Sequence, residues 1–224
     1  GPRNNRARWF STFAFLVTTW ALFFFLSVSE TNDFLLARIY FRTCMLAGIF
    51  ILPTFTEFVG YLLKKPVRPG ITIFNFSIGL SIAVTVYSKY YALDGGPFLG
   101  FLYWPKISIF SLVQVLHYIA NAIFSHSQML QFLSKSNDEK VKKQVRIVFA
   151  GTSLGYIGAA SNFLLWFRVA FPPVLNILIP IYVISVAYAI TKHRLMDIRL
   201  AIRIFTHYAL LFLIFMTPYA AVYL

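Results

Sequence analysis

Runs of about twenty apolar residues recur along this whole chain, and nothing else in the sequence constrains its fold as strongly. An α-helix rises about 1.5 Å per residue, so roughly 20 such residues cross the ~30 Å hydrocarbon layer of a bilayer. Seven segments of this kind can be marked: Trp9–Ser27, Tyr40–Leu63, Ile71–Tyr90, Ile107–Leu133, Ile147–Phe167, Val174–Ile190 and Phe205–Leu224. Their apolar residues are continuous rather than alternating with period two, which points to helices and away from a membrane barrel. The longest polar stretch, Ser134–Arg146, is only of linker size. The expected fold is therefore all-α: one polytopic membrane helix bundle over residues 1–224, with about seven transmembrane helices and no soluble domain.

Charge refines this expectation. Twenty Lys and Arg against seven Asp and Glu give a net charge of +13, which in a soluble protein would raise nucleic acid as a partner. Here the excess has another source, because cytoplasmic loops of membrane proteins collect Lys and Arg. With the N-terminus placed inside, fifteen basic residues fall in inner loops and five in outer ones (Arg38, Arg42, Lys89, Lys106 and Arg168). The expected partner is the lipid bilayer, not nucleic acid, and the N-terminus is expected in the cytoplasm. The first apolar run is long enough to span and has no small-residue cleavage site, unlike a secretory signal. A single cysteine, Cys44, leaves no internal disulfide and no Cys/His metal spacing. The sequence has no phosphate-binding glycine loop, no nucleophile elbow and no paired intramembrane carboxylates, so no enzyme and no metal site is expected, and no cofactor is identified.

Polar side chains at membrane depth are costly and mark cavities or helix interfaces. Gln114, His117, Asn121, Ser125 and Gln128 recur at steps of three and four and form one stripe along the fourth segment. Such a stripe either lines a cavity or joins helices by hydrogen bonds. Glu57, the only acidic residue inside a span, follows Pro53 by four positions, and Asn75 and Asn162 add amides to other segments. Arg38 and Arg42 end the second segment and fit either an anionic ligand or lipid headgroups. Arg42, Glu57, Gln114, His117, Asn121 and Asn162 are the candidate ligand-binding residues. No second histidine lies at the depth of His117, which argues against a bis-histidine haem. Gly151, Gly155 and Gly158 give the fifth segment a small face for close helix approach. Trp20, Trp104, Trp166, Tyr90 and Tyr91 read as an aromatic belt at the outer border.

Between the sixth and seventh segments lies "TKHRLMDIRLAIR", whose Leu195, Ile198 and Ile202 share one face of an amphipathic helix. With the preceding "AYAI", this stretch resembles the sequence that closes the seven-helix sensor module at the N-terminus of many bacterial histidine kinases and some diguanylate cyclases. "RNNRARWFSTFAFLVTTWAL", "ARIYFRTCMLAGIFILPTFTEFVGYLL" and "LGYIGAASNFLL" resemble the second, third and sixth helices of that module. Aligned in this way the chain lacks the family's first helix, has an additional last one, carries Glu57 where a histidine is expected, and contains no kinase or cyclase domain.

The resemblance implies a non-catalytic membrane sensor of a bacterial receptor in the inner membrane, with Lys192, His193, Arg194, Asp197 and Arg199 as its output border. The alternative is a structural or accessory subunit of a larger integral membrane complex. A protein partner in the membrane, or a further cytoplasmic domain, is expected in either case. The run ending at Leu224 stops without a polar border residue, which leads us to expect chain beyond it.

Overall fold

The computed structural model describes residues 2–179 together with 181, 182, 185, 202, 203, 206, 207 and 210. The output border, Lys192, His193, Arg194, Asp197 and Arg199, lies outside the described residues, as do most of the expected spans 174–190 and 205–224.

Helix α1 (Pro2–Ser29) and helix α2 (Phe34–Leu62) form an antiparallel pair. The turn between them is held by two carboxylates. Glu30 accepts the backbone N–H groups of Asn32 (2.9 Å) and Asp33 (3.1 Å), and Asp33 caps α2 by accepting from the N–H of Leu36 (3.0 Å). The two amides at Glu30 hold its carboxyl below the usual range. Helix α2 continues through Pro53, and Thr54 Oγ1 donates to the Phe50 carbonyl at 2.7 Å beside the proline.

Helix α3 (Pro69–Ala83) starts with proline in its first turn and has only 15 residues. Turns follow, and then an antiparallel hairpin of strands β1 (Leu93–Phe98) and β2 (Phe101–Lys106). At its tip Leu99 and Gly100 both take positive φ, 50° and 83°, as a two-residue turn needs to match the right-handed twist of its strands. Helix α4 (Ile109–Lys135) opens on a capping box between Ser108 and Ser111. Helix α5 (Glu139–Trp166) is capped by Asp138, which accepts from the N–H of Val141 at 3.1 Å. A 3₁₀ turn, Val174–Ile177, packs back on α5.

Among the described residues four helices, α1, α2, α4 and α5, are long and apolar enough to cross a membrane. The mostly helical chain with long apolar spans agrees with the all-α reading, and three details differ from what the sequence suggests. The link between the third and fourth expected segments is not a plain loop but carries a β-hairpin over residues 93–106. The third segment is helical only to Ala83, about 22 Å, and turns follow it. The polar stretch 134–146 shrinks to a short link, since α5 already begins at Glu139.

Two apolar clusters form the core. One joins Phe13, Phe55, Phe58, Leu62, Met129 and Val148. The other, beneath the hairpin, gathers Phe41, Ile82, Tyr91, Tyr103, Trp104 and Trp166. This second cluster corrects the aromatic-belt expectation: Trp104 and Trp166 are 0% and 2% exposed and pack on Phe41 at 5.4 and 6.4 Å between ring centroids. Tyr90 is exposed, as the belt reading requires. The small face of α5 is a packing face: a Cβ at Gly151 would lie 2.6 Å from that of Ser185, and one at Gly155 would lie 3.0 Å from that of Tyr182.

Candidate functional site

The polar stripe of α4 faces inward. Gln114, His117, Asn121 and Ser125 are all buried, while Gln128 is half-buried. Three of these residues serve helix contact. Asn121 and Asn75 of α3 exchange amide hydrogen bonds reciprocally, at 2.7 and 3.0 Å. Asn121 Nδ2 also donates to the His117 carbonyl, and its Oδ1 accepts from Thr56 Oγ1 of α2 at 2.9 Å. Ser125 Oγ lies 3.0 Å from the same threonine oxygen. His117 Nε2 meets Asn75 Oδ1 at 2.5 Å. That oxygen already accepts from Asn121, so it also accepts from the imidazole, which places the ring proton on Nε2. His117 Nδ1 is buried with no partner.

Glu57 belongs to the same seam. Buried on α2, it accepts from Thr72 Oγ1 of α3 at 2.5 Å. Arg42 is also buried, and its Nη1 donates to the backbone carbonyl of Tyr87, just beyond α3. Tyr87 OH in turn lies 2.7 Å from Thr43 Oγ1. So α3 is pinned at three heights by Glu57, by the Asn75–Asn121–His117 cluster and by Arg42. Gly79 and Ile82 are the buried residues of α3, Ile78 and Ala83 pack on the cluster beneath the hairpin and Phe76 on Trp9, so apolar and polar contacts share its attachment. Asn162 stands apart from this seam. It exchanges amide bonds with Asn176, at 2.9 and 3.2 Å, and fastens the 3₁₀ turn to α5.

Gln114 differs from the rest of the stripe. Its Oε1 accepts from Tyr91 OH below the hairpin, and the residue also borders a cavity of about 100 Å³. The cavity lies among α1, α2, α4 and α5, with Phe13, Trp20, Met45, Leu52, Tyr118 and Tyr156 in its wall. Among the described residues no charged side chain lines it. Tyr118 and Thr152, which also line it, direct their protons to the carbonyls of Tyr156 (2.6 Å) and Val148 (2.7 Å). Behind Thr152, His126 is boxed by Phe55, Phe149 and Tyr156.

Of the six candidate ligand residues, the structure brings Glu57, His117 and Asn121 into the α2–α3–α4 seam and only Gln114 to the cavity. Sequence reasoning missed Trp20, Gly48 and Tyr118 as cavity residues. Trp20 carried a signal that pointed elsewhere, since a tryptophan at a span border reads as an interface anchor. Among the described residues no cluster of His, Cys, Asp and Glu is suited to a metal ion. No family model matches this chain, and no curated protein or solved structure matches it either.

Proposed function

We propose that this protein is a membrane sensor module in which a small apolar ligand, bound inside the helix bundle, shifts helix packing. The observation that carries this reading is the uncharged cavity bordered by Gln114. The amide of Gln114 also accepts from Tyr91 and so joins the cavity to the hairpin end of the bundle. A ligand changes such an equilibrium only through its differential affinity for two packings, and a residue shared between cavity and hairpin is a means to that difference. The seam that ties α3 to α2 and α4 through side-chain hydrogen bonds is the element expected to shift with the ligand.

In this reading the bundle has seven spans with its N-terminus in the cytoplasm of a bacterial cell. The partition of Lys and Arg supports that orientation, and the resemblance of "YAITKHRLMDIR" to sensor modules of histidine kinases supports the role. The border Lys192, His193, Arg194, Asp197 and Arg199 passes the shift to a cytoplasmic partner. A second reading, an accessory subunit of a larger membrane complex, is favoured by the many exposed apolar side chains, such as Phe25, Ile73, Phe74 and Leu116, which suit protein as well as lipid contacts.

Mass spectrometry of the protein released intact from its native membrane separates the two. The sensor reading expects a polypeptide heavier than the 25.7 kDa of this chain, with a small apolar ligand that is lost when Ala159→Trp fills the cavity. Stoichiometric foreign subunits with no bound small molecule would replace it with the subunit reading.

A further inference from the structure

The point above Gly48 of α2 is where the cavity is chemically specific. A Cβ placed there would lie 3.7 Å from Trp20 Nε1 of α1 and 3.9 Å from Gln114 Nε2 of α4. All three residues line the cavity. A side chain at Gly48 would press on the indole, whose Cδ1 would lie 3.3 Å away, so glycine is what lets these two N–H groups from different helices stand together at the cavity. Gln114 is 4% exposed, and its carbonyl is already engaged by Tyr91 OH. That bond turns the amide nitrogen toward the cavity, where it donates to none of the described residues. Trp20 stacks on Phe24 with ring centroids 5.3 Å apart, which holds the indole edge in place, and Nε1 likewise donates to none of them.

An N–H donor at an apolar cavity wall gains a hydrogen bond when an acceptor arrives. The acceptor has to be neutral or nearly so, because no cationic side chain among the described residues lines the cavity to balance an anion. The rest of the wall is aromatic and aliphatic. We propose that this cavity is a binding site for an uncharged, mainly hydrocarbon molecule bearing a carbonyl oxygen, with that oxygen seated over Gly48 between Trp20 Nε1–H and Gln114 Nε2–H. The inference rests on the sensor reading for its consequence but not for its chemistry. The carbonyl belongs either to the ester of a bilayer lipid reaching into the bundle or to a free ketone or ester.

Two isosteres isolate the oxygen: acetophenone, and α-methylstyrene, which has CH₂ in place of O. Their dissociation constants are measured by equilibrium dialysis on the protein in lipid nanodiscs. The wild type is expected to favour acetophenone by about tenfold over the partition ratio seen in empty nanodiscs, as two hydrogen bonds of ordinary strength would give. Trp20→Phe keeps the stack on Phe24 and removes one donor, so the preference should fall about threefold or more. Gln114→Met removes the other donor. Tyr91→Phe, which breaks the contact with Gln114 but leaves its amide in the cavity, should retain most of the preference and serves as the control for a merely structural loss. Near-ultraviolet circular dichroism checks that each variant is folded.

An equal preference in the wild type and in folded Trp20→Phe overturns the proposal, as does no preference in the wild type. Weaker acetophenone binding in ester-linked than in ether-linked phosphatidylcholine nanodiscs identifies the lipid ester as the occupant. Equal binding in both identifies a free ligand. Loss of the oxygen preference with hydrocarbon binding intact removes this inference and leaves the sensor reading standing. A firm preference in a protein that carries foreign subunits does the reverse.

Discussion

Asn121 makes contacts in three directions, to Asn75, to Thr56 and to the backbone of its own helix. Replacing it by leucine strands the Asn75 amide N–H in the seam, while Thr56 keeps the Leu52 carbonyl and Ser125, so Asn121→Leu is expected to lower stability by about 1–3 kcal/mol. Ser125→Ala removes one hydroxyl at the end of the same chain and should cost about 0.5–1 kcal/mol. Unfolding of the detergent-solubilised variants by increasing dodecyl sulfate measures both. Glu30, at the surface turn, predicts a pH effect of definite sign. Its carboxyl titrates lower in the folded protein because two backbone amides donate to it. Its stabilising contribution is therefore complete above the ordinary carboxylate value of roughly 4.3. It is lost as pH falls through the lowered folded value. Glu30→Gln should flatten this part of the melting-temperature profile against pH and leave the neutral region little changed.

At the scale of elements, the long helices were legible because their apolar runs and end signals agree. Asp33, Ser108 and Asp138 each cap the helix that follows, and the stripe on α4 fell on one face because its spacing follows the helical period. Other features left no such trace. Tyr and Trp near a span border have the same composition whether they face lipid or lie under a hairpin, so Trp104 and Trp166 read as anchors although both are core. The cavity was illegible because it arises where Gly48 and its neighbours fail to fill space, and absent volume has no periodicity. The hairpin tip yields a prediction of its own. Leu99 adopts φ of 50°, a region that costs a leucine roughly 1 kcal/mol and favours asparagine. Leu99→Asn, which restores an Asn-Gly turn, is expected to stabilise the hairpin by about 0.5–1 kcal/mol. Amide hydrogen exchange across β1 and β2 should slow accordingly.

For the whole molecule, the polar contacts define two ends. Arg42 and Tyr87 meet at the hairpin end, and Lys64 lies 3.8 Å from Asp138 at the other. Lys106 and Lys140 are both exposed and belong to opposite ends. In right-side-out vesicles, Lys106→Cys should react with an impermeant maleimide while Lys140→Cys reacts only after permeabilisation; the reverse pattern would invert the proposed orientation. Helix α3 adds a different kind of consequence. Its exposed apolar side chains, Ile73, Phe74 and Leu80, belong to a helix of about 22 Å, well short of the ~30 Å layer that its neighbours are long enough to fill. In the proposed membrane arrangement the acyl chains beside α3 have a shorter apolar helix to cover than they have beside α1, α2, α4 and α5. A bilayer adjusts to such a flank by thinning, so short-chain lipids are expected to gather there and a thinner membrane to suit the protein better.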